Sequence, residues 1–500
     1  MDTLVVSGVA RRRRLLLVVS AGAFMANLDV CIVNVCLPTI SRRFDVGPSE
    51  VSLVVLSYLL CEVSFLLLFG KLSQRWGISQ VFLAGFAVFT AGSLLCGLST
   101  SLPALIGWRA VQGVGGSMIF AVILAFPGLY LPAAKRAAAM GVLTMVSALG
   151  VAAGPPLGGL LATTLGWHWI FFVNIPVGVA ALLAGLAWLP RRHPACSDGR
   201  IDVVGAVLSF LALLSLLLAL NMGREWGWGS PRTVALVGVA ACCALAFVHR
   251  ETHTEYPLLD LGLFRRRFSL ATAAFLIAMA TTGGVLFLFP FYLEDLRGLT
   301  PLVSGVALMV IAAGQFAGPW AGGLADRFGT RAVCGIGLAF SVLAFALFCL
   351  LDDVSPVWFI ALSLALFGVS QGLSKAPNIT MALEDVPAAG KPQAGSVISV
   401  ARSLGLALGV VAFETIFSDG IVRGTQLDDL SVRTDQAAPA LLQHGFTMAF
   451  LFGVALSILA LALTLRAAPH RSRSVGAHAV RAGEPPPRPA ATGRADSTTV

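Results

Sequence analysis

Asp29 stands in the stretch ANLDVCIVNV (26–35), inside an apolar run that starts at Leu15. A carboxylate at the centre of a membrane helix costs about 2.5–3.5 kcal/mol on insertion scales. A chain that keeps one there uses it to hold helices together or to move charge. Glu62, Arg109, Lys375, Arg402 and Glu414 also fall inside apolar runs. At about 1.5 Å per residue, Asp29 lies roughly 12 Å below the outer end of its helix and Arg109 roughly 9 Å below its own. The two depths allow pairing. Burial disfavours the carboxylate's charge and a nearby guanidinium favours it, and that balance lets an acid load and release a proton. A static clasp of Asp29 with Arg109 or Asn34 is the alternative. Glu62, roughly 18 Å deep, has no evident partner. It would bias the site towards cations or carry a second proton, or else pair structurally with Arg109 or Lys375. Asn34, Glu62 and Gln112 are the polar groups best placed to line a substrate cavity. Glu414 is expected to reach water, and Lys375 and Arg402 to anchor at the interface.

These groups are rare because the chain as a whole is apolar. Of 500 residues, 57% are hydrophobic and only 12% charged, about half the charged fraction of a soluble domain. Val203–Leu220 and Phe268–Leu293 carry no charge at all. Such runs predict an all-α polytopic membrane protein, since an open sheet would leave unpaired backbone groups in lipid. Fourteen spans are expected, starting near Leu15, Glu50, Ser79, Pro103, Arg136, Trp167, Asp202, Arg232, Phe268, Leu302, Arg331, Ser355, Ala394 and Gln443. With the Arg11–Arg14 cluster inside, 24 of the 34 basic residues fall on the cytoplasmic side, 7 outside, and Arg109, Lys375 and Arg402 within spans. Both termini are therefore expected in the cytoplasm.

The same distribution accounts for the net charge of +9 without nucleic acid as a partner. The tail after 466, rich in Pro, Arg, Ala and Gly, is expected to be disordered. The first apolar run shows no small-residue cleavage site and reads as a retained first helix. The nine cysteines lie mostly inside apolar runs without zinc-type spacing, so they read as packing residues and no metal is expected. There is no G-x-x-x-x-G-K-[ST], no H-E-x-x-H and no G-x-S-x-G, so no nucleotide cofactor or hydrolytic centre is implied.

The chain repeats itself. GKLSQRWG (70–77) and GGLADRFG (322–329) share Gly, Leu, Arg and Gly with an aromatic at the seventh place. One follows the second span and the other the tenth. Treating spans seven and eight as an insertion gives six plus two plus six, with a substrate site between duplicated halves. The parts are then a basic N-terminus (1–14), a six-helix half (15–190), two inserted helices with flanking loops (191–267), a second six-helix half (268–466) and a tail (467–500).

LDVCIVNVCLP (28–38), RAVQGVGG (109–116), GVLTMVSALGVAAGPPLGG (141–159), WHWIFFVNIPVG (167–178) and PLLDLGLFRRRF (257–268) together resemble the fourteen-helix drug:proton antiporters of the major facilitator superfamily. The resemblance runs from about residue 15 to 466. It implies the major facilitator fold and a cell-membrane exporter that exchanges protons for hydrophobic or amphipathic compounds and works as a monomer with the proton gradient as energy source. It puts Asp29 in the acidic position of the first-helix signature and makes Gly150, Gly154, Pro155, Gly158 and Gly159 the antiporter motif. It makes Gly70, Arg75, Gly77, Gly322, Asp326, Arg327, Gly329 and Arg331 the cytoplasmic gating loops. The chain departs from the pattern at Gln74, where an acid is usual, at Ile78 and Ser79, at Cys31 and Cys36, and at Glu62, where an apolar residue is usual. An exporter dedicated to one metabolite, such as a self-made antibiotic, is the rival; a membrane-embedded enzyme or receptor is remote. A cysteine placed at position 490 of a variant lacking native cysteines is expected to resist membrane-impermeant maleimide in intact cells. Labelling there would reverse the orientation.

Overall fold

Hydrocarbon offers backbone groups no water, so each apolar run closes its hydrogen bonds within itself as a helix. The computed structural model describes residues 8–123, 125–190, 202–254, 261–386, 391–425 and 439–467. The expected tail beyond 467 lies outside the described residues. The first half comprises α1 (Val9–Phe44), α2 (Pro48–Trp76), α3 (Ile78–Gly97), α4 (Leu102–Ile123), α5 (Ala125–Tyr130), α6 (Ala133–Thr164), α7 (Trp169–Phe172) and α8 (Asn174–Trp188). A hairpin follows, α9 (Val203–Trp226) and α10 (Pro231–His253). The second half comprises α11 (Arg266–Phe291), α12 (Pro301–Gln315), α13 (Gly318–Phe328), α14 (Thr330–Phe348), α15 (Val357–Leu383), α16 (Lys391–Thr425) and α17 (Pro439–Arg466).

Thirteen of the described helices are long and apolar enough to cross a membrane. The tenth expected span is present but broken into α12 and α13. Pro319 has no N–H to continue the helical ladder, and the backbone tightens there, with Phe316 N bonding to Ala313 O and Ala317 N to Gly314 O.

The pairings of the first half recur in the second. α1 packs on α6 as α11 does on α16, and α3 packs on α4 as α14 does on α15. α8 touches α1 and α3 as α17 touches α11 and α14. The loop motifs repeat in conformation too. Gly77 (φ 96, ψ 141) and Gly329 (φ 86, ψ 147) hold the same left-handed turn, one that residues with a Cβ rarely adopt. Arg75 and Arg327 are exposed beside these turns, and Arg331 donates to the carbonyl of Leu465. The side chains of Gly322's neighbour Asp326 and of Gln74 lie outside the described residues.

The halves meet chiefly through α6 on α12, α2 on α16 and α1 on α11. The glycine run of α6 makes the first of these possible. Gly150, Gly154 and Gly158 form an i, i+4, i+8 stripe against α1. A Cβ on them would come 2.6 Å from Phe24 O, 2.6 Å from the Cys31 side chain and 2.9 Å from Ile32. Gly159 turns the other way and lies on the Pro301 carbonyl, while Gly305 lies on that of Pro155. Helix α6 is thus pressed between its own half and the other. At the end of the bundle reached by the C-termini of α1 and α11, Arg42 bridges the halves by donating to Glu294 and, at 3.0 Å, to Asp295.

The inserted hairpin lies at the edge, with α9 against α2 and α16 and with Val234, Val237 and Leu245 of α10 left exposed. An apolar outer face of this kind suits lipid. Asp202 closes the base of the hairpin: it caps α9 through Gly205 N and receives Arg250 Nε at 2.7 Å. Burial raises the Asp202 carboxyl, but these hydrogen bonds outweigh it and hold the group below its ordinary range.

Gly154→Ala is expected to lower the melting temperature of the detergent-purified protein by several degrees, since overpacking a tight contact costs about 1–3 kcal/mol. Gly141→Ala on the same helix, where a Cβ meets nothing within 4 Å, is expected to leave it unchanged or slightly higher. Equal effects would mean that the stripe is not a close contact.

Candidate functional site

Asp29 is fully buried, and three side chains donate to its carboxyl group. Arg109 Nη1 of α4 reaches Asp29 Oδ2 at 2.6 Å. Gln112 Nε2 of α4 and Asn174 Nδ2 of α8 both reach Asp29 Oδ1 at 2.8 Å. Arg109 also donates to Gln112 Oε1 at 2.7 Å and, from Nε, to Val54 O of α2 at 3.1 Å. Its guanidinium lies 4.4 Å over the Tyr58 ring and 5.9 Å from Phe171. Gln112 completes the cluster by donating to Ser93 Oγ of α3 at 2.7 Å. One carboxylate therefore ties α1 to α4 and α8, with α3 joined through Gln112 and α2 through Arg109.

The sequence RAVQGVGG explains how α4 reaches so many neighbours. Arg109 and Gln112 are three residues apart, one turn, and so face Asp29 together. The glycines that follow let the neighbouring helices close in. Gly113 lies on the backbone of Tyr58, Gly115 would place a Cβ 2.5 Å from Phe89 N of α3, and Gly116 one 2.5 Å from the Tyr58 hydroxyl. The polar residues bind and the small ones set the distance.

The second buried acid has a partner after all. Glu62 Oε1 accepts from Arg402 Nη2 at 3.0 Å and from Ser403 Oγ at 2.6 Å, both on α16 of the other half. Glu62 is 1% exposed and Arg402 30% by side chain, and Glu62 Oε2 is buried without a partner. The Arg402 guanidinium also lies 4.8 Å over Phe120 of α4. Arg402, expected as an interfacial anchor, instead pairs with Glu62 across the halves. Its helix α16 runs on to Thr425, so Glu414 does not reach water but is buried and accepts from Ser418 Oγ at 2.9 Å.

Asn34 is not part of either cluster. Five residues beyond Asp29, it turns to another side of α1, and its amide donates to Val30 O at 2.6 Å. Gln112, expected in a substrate cavity, is wholly buried and spends its amide on Asp29 and Ser93. Lys375 is half-buried on α15. Among the described residues it has no hydrogen bond or ion pair, and no group of three or more His, Cys, Asp or Glu could hold a metal. Sequence reasoning missed Tyr58, Ser93, Asn174 and Ser403. The one available signal was polarity: Asn174 interrupts the apolar WHWIFFVNIPVG, and Ser403 adjoins a charged residue at membrane depth.

Asn174→Ala is expected to lower the melting temperature without abolishing insertion. It leaves Asp29 with Arg109 and Gln112 but removes one donor, worth about 1.5–3 kcal/mol to a charged group. A melting curve superimposable on the parent's would mean that the Asn174 contact is not formed.

The geometry agrees with what the chain is similar to. The sequence model of the Major Facilitator Superfamily matches residues 19–410. The riboflavin transporter RibZ of Clostridioides difficile is 32% identical over 414 residues, 81% of this chain and 88% of that protein. The tetracenomycin C resistance and export protein of Streptomyces glaucescens is 33% identical over 404 residues, covering 79% and 75%. The multidrug resistance protein Stp of Mycobacterium tuberculosis is 32% identical, covering 81% and 75%. Among solved structures, an inward-facing bacterial homolog of the human lysosomal transporter Spinster superposes with a TM-score of 0.66 at 16% identity over 92% of this chain and 98% of that one. This last likeness concerns the fold alone. The chain belongs to the Major Facilitator Superfamily and is a multi-pass membrane transporter, not an enzyme.

Proposed function

We propose that this transporter is a proton-coupled exporter of hydrophobic or amphipathic compounds, with Asp29 as the coupling acid. The observation that carries the reading is the Asp29 clasp. Proton uptake by Asp29 weakens its hold on Arg109, yet Arg109 keeps two other acceptors, Gln112 Oε1 and Val54 O. Neutralising the acid therefore frees α1 without stranding a buried cation, whose isolation would cost several kcal/mol. Freed, α1 can shift against the glycine stripe of α6, and α6 in turn bears on α12 of the other half. Protonation and the rocking of the halves are linked through that chain of contacts.

Glu62 acts in the same cycle as a latch. Its bond to Arg402 exists only while α2 and α16 are closed on one another. Separation leaves a buried carboxylate without its cation, which then takes a proton or a ligand. A proton falling through 100 mV releases about 2.3 kcal/mol, enough to hold a concentration ratio of about fifty-fold for a neutral compound. Relatives named for resistance to tetracenomycin C and for multidrug resistance support outward transport. A carrier devoted to one metabolite is the second reading, favoured by the riboflavin transporter among the relatives.

The test is transport into inside-acid proteoliposomes, where an exporter inserted inside-out accumulates substrate. Asp29→Asn is expected to cut gradient-driven accumulation at least tenfold while the folded, inserted protein still binds substrate. Full accumulation by Asp29→Asn, or accumulation by the parent that ignores the gradient, would overturn the reading.

A further inference from the structure

We infer that a groove between α1 and α8 binds one anionic phospholipid, its phosphate on Arg14 and Arg11 and an acyl chain along the alanines of α8. The cavity measures about 470 Å³ and every residue lining it is apolar. Leu17, Val18 and Ala21 form its wall on α1, and the α8 wall includes Ala180, Ala184 and Trp188. Ala180 and Ala184 are one turn apart and share a face. Their methyl groups leave unfilled the space that longer side chains would close. Leu17 is 64% exposed and Trp188 41%, so the groove opens outward, and at membrane depth outward means lipid.

A cation stands at one end of the groove. The Arg14 guanidinium lies 5.5 Å from the centroid of the Trp188 ring. Arg11, Arg14, Val18 and Ala21 follow one another at intervals of three, four and three residues, so they lie along one face of α1. The charged stripe therefore runs straight into the apolar one. No acid stands between residues 3 and 28 or between 174 and 197. Among the described residues no ion pair includes Arg11 or Arg14. Trp188 sits at the charged end, as aromatic rings do at the level of the headgroups. Length separates the possible occupants. From Pro176 to Trp188, both lining the groove, α8 rises about 18 Å. Half of the hydrocarbon core is about 15 Å. The chain of a lipid in one leaflet fits that span, whereas a transmembrane helix would need a seam about twice as long. An anionic headgroup suits the arginines best, because a zwitterionic one brings its own cation towards them.

Lipids with brominated chains quench the tryptophans they touch, and the part due to Trp188 is the difference between the unaltered protein and Trp188→Phe. In detergent-purified protein, brominated phosphatidylglycerol is expected to quench that part at about tenfold lower concentration than brominated phosphatidylcholine. Replacing both arginines, Arg11→Gln with Arg14→Gln, is expected to erase the difference by weakening phosphatidylglycerol alone. Arg14→Lys, which keeps the charge, is expected to keep the preference. Ala184→Phe fills the groove without altering the charges and is expected to abolish quenching of Trp188 by both lipids. Equal potency of the two lipids on the unaltered protein, or a preference that survives loss of both arginines, would overturn the inference. Should the double variant fail to fold, the order of potencies in the unaltered protein still decides. Failure of both lipids to quench Trp188 would also overturn it, and a cross-linked dimer would then give the groove to a second copy of the chain.

Discussion

A charge inside a membrane protein must bring its partners with it, and the Asp29–Arg109 pair is where this chain meets that demand most fully. Both groups are buried, and desolvation of two ions is offset only when the remaining lone pairs and N–H groups are also satisfied. Gln112, Asn174, Ser93 and Val54 supply those bonds. The requirement fixes the helices that carry them. α1 cannot rotate without losing Arg109, α8 cannot withdraw without losing Asn174, and α4 must sit close enough to α2 and α3 to need glycine at three of the four positions after Gln112. The packing of the first half follows from one carboxylate.

The second half has no counterpart of this cluster among its described residues; its core is instead rich in edge-on and tilted phenylalanine pairs, among them Phe289, Phe345, Phe348 and Phe450. One half is held by a directional polar network that a proton can loosen, the other by apolar packing indifferent to protonation. Between them run two pseudo-equivalent contacts. The α6–α12 contact is made of glycine and proline backbone and carries no charge. The α2–α16 contact is held by Glu62, Arg402 and Ser403. A rocking motion that keeps one as a bearing while opening the other would alter the electrostatics on one side only, a natural basis for tying substrate charge to conformation.

Helix count, the duplicated halves and the pairing of Asp29 with Arg109 were legible in the sequence because each depends on rise per residue and on charge spacing. Gly77 and Gly329 hold matching positive-φ turns at the two eight-residue loops from which the repeat was read. The partners of Glu62 were not legible. Arg402 is 340 residues away, and the sequence does not say which helix of the other half α16 packs against. Glu414 was misplaced because α16 runs on to Thr425, beyond the apolar run that marks its span. Polar or charged ends extend a helix without lengthening its hydrophobic signature, so depth reckoned from apolar runs errs most for charges near span ends. Asn174 and Ser93 escaped because a single small polar residue in an apolar run does not declare which buried charge it serves.

Asp29 as the acid that couples proton movement to substrate is the centre of this mechanism. The most direct measurement is proton release on adding substrate to detergent-purified protein in weakly buffered solution. The parent is expected to release protons and Asp29→Asn to release none, with Glu62→Gln retaining part of the signal. Release from Asp29→Asn equal to the parent's would contradict the claim and assign coupling to another group.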